Sequence, residues 1–155
     1  MPYLVDGHNL IPKAGLRLDS PDDELELVAI LQDFARLKRQ QVEVYFDGAP
    51  IGQAGTRRMG TVRAHFVRLG QTADDAIRAR LSRMEKDARN WTVVSSDREV
   101  QSAARVFQSM FISSEEFVKV LREVLNSVPK SNGNEKKLSA AEVEEWLIIF
   151  GNKGN

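Results

Sequence analysis

The sequence predicts an α/β fold, with a central parallel sheet of about five strands covered by helices on both faces. Three observations carry that reading. Short apolar runs of strand length alternate with longer stretches of helical periodicity along the chain. Several helical stretches open on a capping signal, such as Ser20-Pro21-Asp22-Asp23 and Ser113-Ser114-Glu115-Glu116. And three of the apolar runs end on an aspartate.

Tyr3–Val5 is the first strand, and Asp6 stands at its exit. No helix start is legible before Ser20, so on this reading Asp6 has no helix to cap. Ser20 as N-cap, Pro21 at the first helical position and acids in the first turn open a helix. It carries Leu25, Val28, Leu31, Ala35 and Leu37 and ends near Arg39. "VEVYF" (42–46) is the second strand and stops at Asp47-Gly48; Gly, Pro, Gln and Thr mark a loop over 48–60. "TVRAHFV" (61–67) is the third strand. Thr72 then opens a helix with Ala76, Ile77, Leu81 and Met84 on one face. "WTVVSS" (91–96) is the fourth strand, ending at Asp97; a short helix covers 98–106 and "SMFI" (109–112) is the fifth strand. The capping box at Ser113 leads into a helix over 115–126. Residues 127–138 read as a linker, and residues 139–150 as a final helix with Val143, Trp146, Leu147 and Phe150 on one face. The organisation is thus one domain over 1–126, a linker, and a C-terminal helix that packs back on the domain or on a partner.

Composition narrows the function. The chain has 155 residues, no cysteine and a formal net charge of +0. Thiolate metal sites and disulfides are excluded, which fits a cytoplasmic protein. No apolar run approaches the roughly 20 residues of a membrane span, and no secretory signal is present. Any field that attracts nucleic acid must be local.

In a parallel sheet with helical crossovers, ligands bind beyond the carboxyl ends of the strands. Asp6, Asp47 and Asp97 end strands, and Asp74 and Asp75 sit in the first turn of the helix after strand three. Grouped on one rim without a counter-charge, these acids would repel; they must protonate or bind a cation. A hard divalent ion, Mg²⁺ or Mn²⁺, suits oxygen ligands. Taken singly, the acids have other uses. Asp97 can cap the helix after it, Asp74 and Asp75 can serve the helix dipole behind a Thr72 cap, and Asp47-Gly48 can form a turn. Next to the acids lies a basic segment. Gly48 to Ala73 holds Arg57, Arg58, Arg63, His65 and Arg68 and no acid, and Arg78, Arg80 and Arg83 follow. The pairing suits a polyanion whose phosphate meets a metal. Only Phe66 interrupts the segment, so phosphate contact is favoured over base stacking.

Four fragments, "LVDGHNLI" (4–11), "VYFDGA" (44–49), "QTADDAIRARL" (71–81) and "TVVSSDREVQ" (92–101), resemble in order and spacing the YacP-like branch of the NYN family, within the PIN-like nuclease superfamily. The resemblance spans roughly 3–126. It implies a PIN-like three-layer αβα sandwich and a metal-dependent endoribonuclease leaving 5′-phosphate and 3′-hydroxyl ends. It implies catalytic roles for Asp6, Asn9, Asp74, Asp75 and Asp97, with Asp6, Asp75 and Asp97 as Mg²⁺ or Mn²⁺ ligands. Asp47, Arg57, Arg58, Arg63 and Arg98 would then face the substrate. His8 departs from the family, where many members have tyrosine. Some YacP-like proteins act on mRNA at the ribosome, so the resemblance implies single-stranded RNA or mRNA, and the ribosome, as partners of a monomer or weak dimer.

Three other classes fit less well. A non-catalytic RNA- or ribosome-binding module on the same scaffold would have no need of a full acid set. A receiver-like signalling domain wants an aspartate after strand three and a lysine after strand five, where Val67-Arg68 and Ile112-Ser113 stand. A phosphatase with a first-strand nucleophile wants an acid at position 8, which is histidine.

Overall fold

The computed structural model describes residues 2–14 and 21–127. Ser20 as a cap, most of the linker and the helix over 139–150 lie outside the described residues. A six-stranded sheet forms the centre, in the order β3-β4-β2-β1-β5-β6. Its strands are β1 (Tyr3–Asp6), β2 (Val42–Ala49), β3 (Gly55–Met59), β4 (Val62–Arg68), β5 (Thr92–Val94) and β6 (Met110–Ile112). All neighbours are parallel except β3, which runs antiparallel to β4. The helices are α1 (Gly7–Lys13), α2 (Pro21–Lys38), α3 (Ala73–Met84), α4 (Arg98–Val106) and α5 (Ser114–Asn126), with a 3-10 turn at Glu85–Asn90.

Alternation along the strands builds two cores. Val5, Val42, Val44, Phe46 and Val62 face α1, α2 and α5, meeting Leu10, Ile11, Phe34 and Phe117. Leu4, Tyr45, Val67 and Val93 face α3 and α4, meeting Ile77, Leu81, Val100 and Ala104. This is the three-layer αβα sandwich. Each face buries about a dozen apolar side chains or more, so neither layer is optional.

Three expectations need correction. The sheet has six strands rather than five, because β3 occupies part of the expected loop 48–60. Its sequence, "GTRRM", has no apolar alternation: it is an edge strand almost wholly in solvent, and its arginines protect that edge from further pairing. Second, β2 does not stop at Asp47-Gly48. It continues to Ala49 through a bulge, which Gly48 permits with φ of 80°. Third, a helix does follow Asp6. α1 begins at Gly7 and closes so tightly on β2 that a β-carbon at Gly7 would come within 2.8 Å of the Tyr45 carbonyl oxygen. Only glycine fits.

The connections set the place for a site. The chain steps from β1 leftward to β2 and β4, then jumps to β5 on the other side of β1. Helices α1 and α2 therefore leave one face, and α3 the other, which opens a crevice at the carboxyl ends of β1 and β5. Among the described residues no helix is long and apolar enough to cross a membrane.

Candidate functional site

Asp6 sits in that crevice. It ends β1 beside Tyr45 of β2 and is only 8% exposed. It stands at the N-cap position of α1, where the Asn9 backbone N–H lies near its carboxyl without closing a regular capping hydrogen bond. Its partner is instead the Ser95 hydroxyl, which donates to Oδ2 at 3.0 Å. Burial pushes the Asp6 carboxyl up to about 6; the Ser95 hydroxyl and the Asn9 backbone N–H oppose this, while the charges of Asp47 and Asp97 add to it. Ser95 also accepts from the backbone N–H of Asp97 at 3.0 Å. One fully buried hydroxyl thus ties the ends of β1 and β5 together.

Asp97 caps α4, its Oδ1 accepting from the Glu99 N–H at 2.8 Å. Capping accounts for one oxygen; the residue is exposed and its other oxygen faces no described partner. Asn9 lies across the same crevice. Its Oδ1 accepts from the Ser96 N–H at 2.8 Å and from the Ser114 hydroxyl at 2.6 Å. So its side-chain oxygen holds the β5 and β6 loops together rather than reaching Asp6. The Ser96 hydroxyl donates to Glu115, whose second oxygen pairs with Lys13 at 3.2 Å; these contacts hold the Glu115 carboxyl down at about 2.

At the start of α3, Thr72 is the cap, accepting from the Asp75 N–H at 3.0 Å. The two acids are therefore not needed for capping. Asp74 pairs with Arg78 at 3.2 Å, and Asp75 is exposed. Asp47, in the bulge of β2, holds His8 at 2.7 Å through Nδ1, and Glu24 of α2 holds the other ring nitrogen at 2.6 Å. Two carboxylates against one ring favour the charged form in which both ring nitrogens donate. Burial disfavours that charge, but the two acids outweigh it and the His8 pKa is raised. Glu24 is not legible as a site residue in the sequence, because its partner lies in another element.

The structure brings Asp6, Asn9, Asp47 and Asp97 to one rim, with Asp74, Asp75 and Arg98 at the first turns of the helices flanking it. It does not bring Arg58 and Arg63 there. They lie at the end of β3 and the start of β4, the opposite end of the sheet. Arg57 stacks on Phe66 along the edge strand, its guanidinium 4.8 Å from the ring centre. Arg80 is also committed elsewhere. It forks onto Glu43 at 3.0 and 2.9 Å, and Glu43 is fully buried.

Among the described residues, no three histidine, aspartate or glutamate side chains close on one point to form a ready metal cage. The donor set still fits a hard ion that keeps much of its water. Mg²⁺ is commonly held by one or two carboxylates and substrate phosphate, not by an all-protein cage. Asp6 supplies a buried carboxylate with no cationic side chain against it, and Asp97 supplies a second acid beside it.

Comparison with known proteins agrees with the fold. The family description "YacP-like NYN domain" matches residues 3–147. No curated protein sequence matches the chain. Among solved structures, the crystal structure of Rae1 (YacP) from Bacillus subtilis is similar, with a TM-score of 0.68 at 18% identity, covering 94% of this chain and 83% of that one. A tryptophan-to-leucine mutant of the same protein gives a TM-score of 0.65 at 18% identity, covering 99% and 97%. At that identity the likeness speaks for the fold.

Proposed function

Since the chain belongs to the YacP-like NYN domain family of PIN-like nucleases, we propose that it is a Mg²⁺- or Mn²⁺-dependent endoribonuclease that hydrolyses single-stranded RNA, including mRNA, to 5′-phosphate and 3′-hydroxyl ends. One observation carries this reading. A buried carboxylate ends the central strand at the switch point of the sheet, raised toward neutrality by burial and by two nearby acids, with no cationic side chain to offset it. A divalent ion would supply that charge.

Asp6, Asp97 and Asp75 would hold the ion, directly or through water. When bound, it activates a water and neutralises charge on the phosphate. Ser95 fixes the Asp6 rotamer and keeps the Asp97 backbone in register with it. Asn9 locks the loops after β5 and β6, so the acids are presented by a rigid rim. Asp74, held by Arg78 at 3.2 Å, would orient the attacking water. Arg98, in the first turn of α4, would meet the substrate phosphate. The ribosome is a candidate partner in presenting the RNA.

End-labelled single-stranded RNA incubated with Mn²⁺ or Mg²⁺ tests this. Cleavage that needs the metal, is abolished by EDTA and leaves 5′-phosphate ends is the expected result. Products with cyclic phosphate or 3′-phosphate ends, or cleavage that survives EDTA, would contradict it. The rival is a non-catalytic RNA-binding module, favoured by the lack of a closed metal cage among the described residues. It predicts RNA binding with no metal-dependent products.

A further inference from the structure

The arginines that miss the acidic rim build something of their own. At the opposite end of the sheet, a cavity of about 690 Å³ is lined by Arg36 and Arg39 from the end of α2, by Arg58 of β3, by Arg63 of β4, and by Gln41 and Thr61 between them. Arg36 pairs with Asp33 at 2.8 Å. Among the described residues Arg39, Arg58 and Arg63 have no ion-pair partner.

Two details show that the charge is held there against local preference. Arg58 stands directly opposite Arg63 across the antiparallel pair, where like charges destabilise a sheet. Arg39 ends α2 in the left-handed region, with φ of 55°, while the Gln40 N–H closes back on the Ala35 carbonyl at 3.0 Å. That is the helix-end position where glycine is favoured, and an arginine there bears a conformational cost. The negative end of the helix dipole accounts for Arg36 and Lys38 near the last turn. It does not account for the facing pair on the strands.

The positive charge continues around the sheet edge. β4 carries Arg63 near its first residue and Arg68 at its last, roughly 17 Å apart at about 3.3 Å per residue; five residues apart they point to opposite faces, and Arg57, paired with Ala64 and stacked on Phe66, shares the face of Arg68. Arg57 lies between them on the exposed edge strand. No acid occurs from Gly48 to Ala73.

We propose that this cavity is a second phosphate-binding site, taking the backbone of an RNA segment remote from the scissile bond, with Arg57 and Arg68 marking its path along the sheet edge. The proposal rests on RNA being the substrate and adds to it a requirement for length. An RNA long enough to span the sheet should gain affinity from the cavity; one that fills only the rim should not.

The test measures binding alone, with the full chain in EDTA so that no cleavage occurs. Long and short single-stranded RNA of one base are titrated by fluorescence anisotropy at several salt concentrations. The variant is Arg39→Gly with Arg58→Gln; glycine suits the backbone at position 39, and Arg39→Gly alone serves if the pair melts early. The expected result is about tenfold weaker binding of the long RNA, with the salt slope reduced by about 0.7 for each phosphate that is no longer neutralised, and short RNA unchanged. Equal binding of long RNA by wild type and variant would overturn the proposal, as would an equal loss on long and short RNA, or no RNA binding by the wild type. Length-dependent loss in a protein that never cleaves RNA would uphold this site and remove the nuclease reading instead.

Discussion

Two buried carboxylates lie on the same face of the sheet, on adjacent strands, and they are treated in opposite ways. Glu43 of β2 is fully enclosed and fully partnered: Arg80 forks onto it, Tyr45 donates at 3.0 Å and His65 reaches it at 3.2 Å. Burial alone would raise its carboxyl, but these partners win and hold it at about 2. Asp6 of β1 is nearly as buried and has one hydroxyl, two neighbouring acids and no cation, so its carboxyl rises to about 6. The difference separates structure from function. A buried charge that the chain neutralises itself holds the fold together, and one that it leaves short is set to receive a cation from outside.

Both carboxylates give pH signatures of opposite sign. Glu43 binds its proton less tightly when folded, so its stabilisation is present above 4.5 and is lost as pH falls toward about 2. Asp6 binds its proton more tightly when folded, so its contribution is most favourable below 3.8 and declines as pH rises to about 6.

The largest expected effect comes from Glu43→Gln, which strands Arg80 against a buried neutral group. It should cost about 3 kcal/mol in urea unfolding at neutral pH and remove the acid limb of the stability profile. A cost within experimental error would break the comparison, because Glu43 would then be no better partnered than Asp6. Asp6→Asn should act the other way, raising stability by about 2 kcal/mol at neutral pH and flattening the decline between 3.8 and about 6. Loss of stability at neutral pH would mean that the charged form is already well satisfied. Ser95→Ala removes a buried hydroxyl that both donates and accepts; about 1 kcal/mol of stability should be lost, and an NMR titration should place Asp6 above its wild-type value. The smallest change in stability is expected for Asp97→Asn, since asparagine caps as well as aspartate. Unfolding should shift by about a few tenths of a kcal/mol at most, the Asp6 carboxyl should titrate lower with its neighbour's charge gone, and metal-dependent cleavage should drop sharply.

The contrast between these two acids explains what the sequence makes legible. Asp6, Asp47 and Asp97 are legible because each follows an apolar run, and in a parallel sheet strand ends share a rim. Thr72 as the cap of α3 is legible from local spacing alone. Glu43 is not, since a glutamate inside "VEVYF" reads as the solvent side of a half-buried strand, and its three partners come from β2, β4 and α3. The helix α1 is hidden by Gly7 at its start and Pro12 inside it. The strand β3 is hidden by a composition suited to solvent rather than to a core. That second omission misplaces Arg58, which only the reversed direction of the hairpin carries to the far end of the sheet; Arg63 stands near the start of a strand already legible as parallel, so its distance from the carboxyl rim follows from the strand direction alone. Glu24 is invisible for a similar reason, because it meets His8 only when α2 packs across the rim.

The most direct test of the central claim is a calorimetric titration of Mn²⁺ into the wild-type chain, Asp6→Asn and Glu43→Gln at neutral pH. Wild type and Glu43→Gln should bind alike, and Asp6→Asn should bind weaker by about tenfold or more, the scale of loss seen even when a residue that only supports a metal ligand is removed. Undiminished Mn²⁺ binding by Asp6→Asn would contradict the claim, because the buried acid at the end of β1 would then not be where the cation sits.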